Sequence, residues 1–346
     1  MNVSRPPLPK PLRVMAFTGG ATVPAARFRV RQYIPALAGL GVSVDERPAP
    51  LGAYPPRDRW LRPAWAAASL VQRLPAVACS HRADVTLLQR ELLSTLVTLE
   101  GWTGRPRVLD VDDAIHLFRE GRTAERLARA CDLVVCGNFW LADVYAAWNA
   151  NVAVLPTAVD TAALPATPYP AGSAVIGWIG TSGNLRYLEG VEDALAVVFD
   201  RFPHARLAVC ADLPPAFHRL PAERVDFVPW SPAAEAGFFA HLNVGLMPLA
   251  DSLWERGKCG FKMLQYLCAG RPAVVSPVGM NVDILAHGDA GFAADSTDGW
   301  VEALSSLLAD PGRAAAMGRR GRAVIEEHYA VDALAPRLAG LLRGVA

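Results

Sequence analysis

Short apolar runs of four to seven residues alternate with longer amphipathic stretches along almost the whole chain, and this rhythm decides what the chain can fold into. LRVMAF is followed by an amphipathic stretch over 25–39, VSVDE by one beginning at Arg57, and DVTLLQ by one over 91–102. RVLDVD, DLVVCG and VAVLP are spaced by stretches over 123–130 and 139–149. Parallel neighbours need a crossover, usually a helix, so strand, helix and strand in series spell a parallel α/β sheet. The segment 157–173 breaks the rhythm with three prolines and small residues, and it reads as a linker. The alternation then restarts with AVIGWIG, a helix from Asn184, ARLAVCA, VDFVP, a helix from Pro232, NVGLMPL, a helix over 258–269, PAVVS, a helix near Val282 and GFAA. Helices over 300–308 and 312–328 follow.

The sequence therefore predicts two doubly wound domains in tandem: 1–158, a linker over 159–172, and 173–330. At 346 residues the chain suits two domains of ordinary size. The last amphipathic stretch, 331–342, has no strand after it and is expected to return to the first domain with the rest of 331–346.

The chain is 52% hydrophobic and 19% charged, which excludes a disordered or solvating protein. Its net charge of +1 hides an asymmetry: residues 1–150 hold 19 Lys+Arg against 13 Asp+Glu (+6), leaving 15 against 20 (−5) beyond. A basic front half suits an anionic ligand or surface and argues against nucleic acid as a general partner. The six cysteines form no CxxC pair and read as buried thiols of a reducing compartment, so the expected location is cytoplasmic. No apolar leader and no spanning helix is visible.

Ligands of open parallel sheets bind outside the carboxyl ends of the strands, so the loops there carry the candidate residues. FTGGATVPAARFRVRQ offers Gly19 and Gly20 for close backbone approach, with Arg27, Arg29 and Arg31 beyond. Three alternating arginines on a helix cannot all face one ligand. RVLDVDDAIHL places Asp110, Asp112, Asp113 and His116 at a strand end. An Asp-x-Asp pair holds a divalent metal only with further oxygens; the competing reading, a helix N-cap at Asp112 or Asp113 or a ligand hydrogen bond, is preferred. GWIGTSGN puts Gly180, Thr181, Ser182 and Gly183 in a tight turn suited to a diphosphate. It lacks the G-x-G-x-x-G spacing of a dinucleotide loop.

Lysine is scarce: 31 arginines stand against Lys10, Lys258 and Lys262. Two of the three lie four residues apart in RGKCGFKMLQYLCAG. Helical spacing would put both cations near a helix N-terminus, where they are unfavourable unless an anion compensates them. An ammonium also fits where a planar guanidinium does not. The pair predicts an anion site.

Together these segments resemble the retaining glycosyltransferases of family 4, the group 1 glycosyltransferases. The likeness is carried by the early glycine loop, GWIGTSGN with YLEGVEDAL, NVGLMPLADSLW, RGKCGFKMLQYLCAGRPAVVSPVG and MGRRGRAVIEEHY. It implies the GT-B fold, two Rossmann-like domains facing across a cleft. It also implies transfer of a sugar from a nucleoside diphosphate donor to an acceptor hydroxyl, with no cofactor and no bound metal. Lys262, Lys258 and Asp112 would be catalytic; Gly180, Thr181, Ser182, Gly183, Gln265 and Gly279 would bind the donor; Gly19, Gly20 and Arg27 would bind a carbohydrate or lipid-linked acceptor. The family's Glu-x7-Glu is replaced by Gly257 and Gln265, with Glu255 nearby. The rival functions are a nucleotide-sugar epimerase on the same fold and a non-catalytic nucleotide-sugar-binding module. The stretch RDRWLRPAWAAASLVQRL, with Arg57, Arg59, Arg62 and Arg73 beside Trp60 and Trp65, is expected either to touch anionic lipid peripherally or to be an ordinary packed helix.

Overall fold

The computed structural model describes residues 11–20, 23–52 and 54–346. Lys10 and the rest of the proline-rich start, and Ala21 and Thr22 of the first glycine loop, lie outside them. The first sheet holds β1 (Leu12–Thr18), β2 (Val42–Pro48), β3 (Val85–Gln89), β4 (Arg107–Val111), β5 (Leu133–Cys136) and β6 (Val152–Val154). The second holds β7 (Val175–Ile179), β8 (Arg206–Ala211), β9 (Val225–Pro229), β10 (Val244–Met247), β11 (Ala273–Val275) and β12 (Gly291–Ala293). Every pairing is parallel. The orders are β2-β1-β3-β4-β5-β6 and β12-β11-β10-β7-β8-β9. Strands β3, β4 and β5 are buried along their whole length, which is why VTLLQ, RVLDV and LVVC run nearly continuously apolar instead of alternating.

The chain divides into two units. Unit 1 runs to Thr157 and resumes at Val331–Ala346; unit 2 is Ala158–Ala330. Phe17, Leu88, Leu109, Val134 and Tyr145 centre the core of unit 1. In unit 2, Trp178, Leu195, Phe199 and Leu304 fill one side of the sheet and Phe239, Met263 and Tyr266 the other. The helix Val331–Val345 lies in unit 1, where Arg337 donates to the Val154 carbonyl (3.1 Å) and Arg343 to that of Leu40.

Four local expectations need correction. The stretch 159–172 is held to unit 2: the buried Arg271 guanidinium donates to Thr167 and to the Pro168 carbonyl (2.9 Å), and Arg322 donates to the Leu164 carbonyl (2.9 Å). Residues 91–102 form a loop with a 3-10 turn at Glu100–Trp102. Its organiser is the buried Glu100 carboxylate, which accepts the amides of Leu92 (2.8 Å) and Thr98. Arg73 belongs to no lipid-facing surface; it is 4% exposed and donates to the carbonyls of Thr18 (2.9 Å) and Arg47 (3.0 Å). Trp60, by contrast, is 78% exposed just ahead of the helix Arg62–Ser80.

The helix expected over 258–269 starts three residues late, at Phe261–Cys268. Gly260 takes φ +65°, and a Cβ there would stand 2.9 Å from Ile284 Cδ1, so this position breaks the helical backbone and demands glycine. Lys258 is therefore in the preceding turn, its amide donating to the Glu255 carbonyl at 3.0 Å. Only Lys262 is helical.

Candidate functional site

In each sheet the strand order reverses once, between β1 and β3 in unit 1 and between β7 and β10 in unit 2, and such switch points are where open α/β sheets bind ligands. Each unit carries expected residues at that place.

In unit 1, Gly19 follows β1 and donates its amide to Gln89 at the end of β3 (3.3 Å). Gly20 takes φ +147°. The three arginines of the loop separate as the alternation demanded. Arg27 is exposed, with its guanidinium over the Phe28 ring at 4.7 Å; Arg31 pairs with Glu46 at 2.6 Å. Arg29 is buried against Asp110 at 2.5 Å, the two side chains 1% and 6% exposed, and also donates to the Leu155 carbonyl at 2.7 Å. Asp110 is thus neutralised from inside the protein. Asp112 is half-buried past the end of β4. The N-cap reading of Asp112 and Asp113 is corrected: the turn Ile115–Gly121 has Ala114 as N-cap with no side-chain cap. Arg90 lies 3.5 Å from Asp113. Among the described residues no cluster of three or more His, Cys, Asp or Glu is placed to hold a metal ion.

In unit 2, Lys262 reaches from the first turn of its helix to the carboxyl end of β7. Its Nζ sits 5.5 Å from the centre of the Trp178 ring. A Cβ on Gly180 would come within 2.7 Å of Lys262 Cε and 2.6 Å of the Trp178 ring, so glycine at 180 is what admits the lysine chain. Among the described residues no carboxylate pairs with this ammonium. Burial, with the charge of Lys258 second, pushes it down to about 8. Lys258 lies 5.9 Å from the Trp254 ring centre.

The turn after β7 is less open to a ligand than GWIGTSGN suggests. The Gly180 amide donates to the Cys210 carbonyl (3.0 Å). Ser182 gives both its amide (2.5 Å) and its hydroxyl (2.8 Å) to Asp212, which holds that carboxyl below the usual range. Thr181 accepts from Asn184 Nδ2 at 2.9 Å, and Gly183 is exposed. A carboxylate fixed at Ser182 disfavours an anion at that end of the turn; the Gly180 end lies beside Lys262 instead.

Gln265 is buried, its Nε2 donating to Glu235 Oε1 at 3.2 Å; the other Glu235 oxygen accepts from Trp230 Nε1 at 2.9 Å. A carboxylate thus stands next to the position where the sequence has only an amide. Gly279 takes φ +54° against the Arg256 carbonyl. Glu255 is 3% exposed and accepts the hydroxyls of Tyr187 and Ser252, with Arg186 at 3.7 Å. Burial works to raise its pKa, but those two hydroxyls and the Lys258 charge outweigh it, leaving the carboxyl below the usual range. The Ser252-x-x-Glu255 spacing is a capping-box signal; it could have marked this carboxylate as fixed. Tyr187, Glu235 and Asp212 had no comparable signal, because the partners that bring them into the site, Glu255, Gln265 and Ser182, lie 30 or more residues away. Beside Tyr187 a cavity of about 500 Å³ is lined by Arg186, Asp251, Ser276, Asp295 and Trp300, among others. Neither lysine lines it.

Residues 174–310 match the family model for glycosyl transferases group 1. A GDP-mannose-dependent alpha-(1-6)-phosphatidylinositol monomannoside mannosyltransferase of Mycobacterium tuberculosis is 34% identical over 87 residues, which is 25% of this chain and 23% of that protein. The alignable part thus spans under a quarter of the curated relative. Similar solved structures include Anabaena Alr3699/HepE in complex with UDP and glucose, with TM-score 0.70 and 15% identity over 96% of this chain and all of that one. The sucrose-phosphate synthase of Thermosynechococcus elongatus gives 0.69 and 15% over 96% and 98%. The chain has the GT-B fold. The family match covers β7 to β12 and so takes in Lys258, Lys262, Gln265 and Gly279.

Proposed function

We propose that the protein is a retaining glycosyltransferase that moves a sugar from a nucleoside diphosphate sugar to an acceptor hydroxyl in glycan or glycolipid assembly. The observation that carries this reading is Lys262, a lysine in a chain of arginines, drawn under Gly180 at the switch point of unit 2 with no carboxylate paired to it among the described residues. In the reaction the bond between the anomeric carbon and the β-phosphate oxygen breaks and its electron pair passes to that oxygen, while the acceptor oxygen bonds to the anomeric carbon and gives its hydroxyl proton to the departing diphosphate. The Lys262 ammonium, with Lys258 behind it, meets the charge growing on the departing diphosphate, so the reaction requires no metal. Gln265, steadied by Glu235, offers its amide to ribose hydroxyls. Gly19, Gly20, Arg27 and Asp112 lie where unit 1 would receive the acceptor. Peripheral lipid contact through Arg57, Trp60 and Arg62 belongs to the same proposal, supported by the exposure of Trp60.

The test is release of nucleoside diphosphate from UDP, GDP, ADP and dTDP sugars, with and without chelator. GDP and UDP are first in the panel because the curated relative is GDP-mannose-dependent and HepE was solved with UDP. Turnover of one donor that survives chelator and falls about 10²–10³-fold in Lys262→Ala is the expected result. Activity lost in chelator and restored by manganese contradicts the lysine role.

A further inference from the structure

Unit 1 holds a cavity of about 470 Å³ whose lining includes Arg119, Arg122 and Arg126 together with Leu96 and Val97. The chain enters it in an uncommon way. Arg119, Glu120 and Gly121 take φ values of +52°, +56° and +77° in succession, a left-handed backbone that side-chain-bearing residues rarely adopt. This turn swings Arg119 toward the 95–97 loop, where its Nε donates to Thr95 Oγ1 at 3.2 Å. Thr123 fastens the same loop from the helix side, donating to the Thr95 carbonyl at 3.1 Å. The helix Arg122–Arg129 then sets Arg122 and Arg126 one turn apart on one face, where like charges repel.

The carboxylates nearby do not resolve that repulsion. Glu120, which also lines the cavity, pairs with Arg122 where both side chains are about four-fifths exposed (77% and 81%), and Glu125 pairs with Arg129 at 3.0 Å. Among the described residues neither Arg119 nor Arg126 has a carboxylate within ion-pair distance. Arg119 and Arg126 thus line the cavity with no acid paired to them among the described residues, and a guanidinium suits a phosphate, which it grips through two parallel hydrogen bonds. Leu96 is 37% exposed beside them, and with Val97 it gives the cavity one apolar wall. A small inorganic anion has no use for that wall.

We propose that this cavity binds a phosphate group carried on an apolar chain, the phosphate on Arg119 and Arg126 and the chain against Leu96 and Val97. That the ligand is the anionic part of a sugar acceptor rests on the transferase reading above; the binding itself does not.

The test is calorimetric titration of the full-length protein with dihexanoyl phosphatidate, inorganic phosphate and dihexanoyl phosphatidylcholine, repeated on Arg119→Gln/Arg126→Gln. The wild type is expected to bind phosphatidate at least about tenfold more tightly than either control, and the double variant to lose at least about tenfold of that affinity while melting normally and binding nucleoside diphosphate unchanged. Equal phosphatidate binding by wild type and variant, or none by wild type, overturns the site. Inorganic phosphate bound as tightly as phosphatidate overturns the apolar half. A wild type that binds phosphatidate and no nucleoside diphosphate retains the cavity assignment and removes the transferase reading.

Discussion

Each unit holds a cation at its sheet's carboxyl end, buried in unit 1 and half-buried in unit 2, and they treat it in opposite ways. In unit 1 the Arg29 guanidinium lies 2.5 Å from the Asp110 carboxylate and also donates to a backbone carbonyl. Its charge is settled within the fold. In unit 2 the Lys262 ammonium lies over an aromatic ring, and loss of hydration, with the charge of Lys258 second, brings its pKa down to about 8. A buried charge with its own partner is structural; one without a partner waits for a partner from outside. In the sequence Arg29 is one of three alternating arginines after a glycine loop, and Lys262 one of two lysines four residues apart.

The largest expected effect breaks the settled pair. Arg29→Met leaves Asp110 buried alone and should destabilise unit 1 by about 3–5 kcal/mol, whereas Arg29→Met/Asp110→Leu should recover most of that loss. Urea unfolding followed by amide exchange in β4 measures both. Lys262→Met is the counterpart: removing an unpaired charge should leave apparent stability equal or higher, while turnover falls about 10²–10³-fold. A Lys262→Met protein as damaged in stability as Arg29→Met would erase the contrast.

The pH dependence sharpens it. Lys262 titrates at 10.5 when unfolded and at about 8 when folded, so between those values the unfolded chain binds more protons and stability rises with pH. Below about pH 8 the penalty is present in full. Thermal melts of wild type and Lys262→Met should therefore converge as pH rises from 8 to 10.5, the variant losing this rise.

Smaller effects follow in the glycine loop. Gly180→Ala places a Cβ 2.7 Å from Lys262 Cε, and displacing that chain should cost about tenfold or more in kcat with less change in KM. Ser182→Ala removes one bond to Asp212 and leaves the other, and turnover should change by less than about threefold.

The strands, both sheets and the closing helix were legible because parallel sheets covered on both faces require long apolar runs. The loop over 91–102 was not: its amphipathic pattern comes from Leu92, Leu93 and Leu99 packing around a buried carboxylate, and Glu100 reads in sequence as one more polar position. The glycine at 260 was visible, yet only the close approach of Ile284 shows why the helix begins only after it. Lys262 stood out through arginine's dominance elsewhere, while Lys258 was placed on a helix face it does not share. The occupation of Ser182 by Asp212 depends on β8 lying beside β7, information that exists only in the sheet order.

Proton uptake on binding tests the central claim most directly. The nucleoside diphosphate that binds best is titrated into wild type and Lys262→Met at pH 8, in buffers of different ionisation enthalpy. An ammonium that is half-protonated when free and fully protonated against the diphosphate takes up about half a proton, so wild type should show that uptake and Lys262→Met should show none. The same uptake in both proteins would mean that the diphosphate does not meet Lys262.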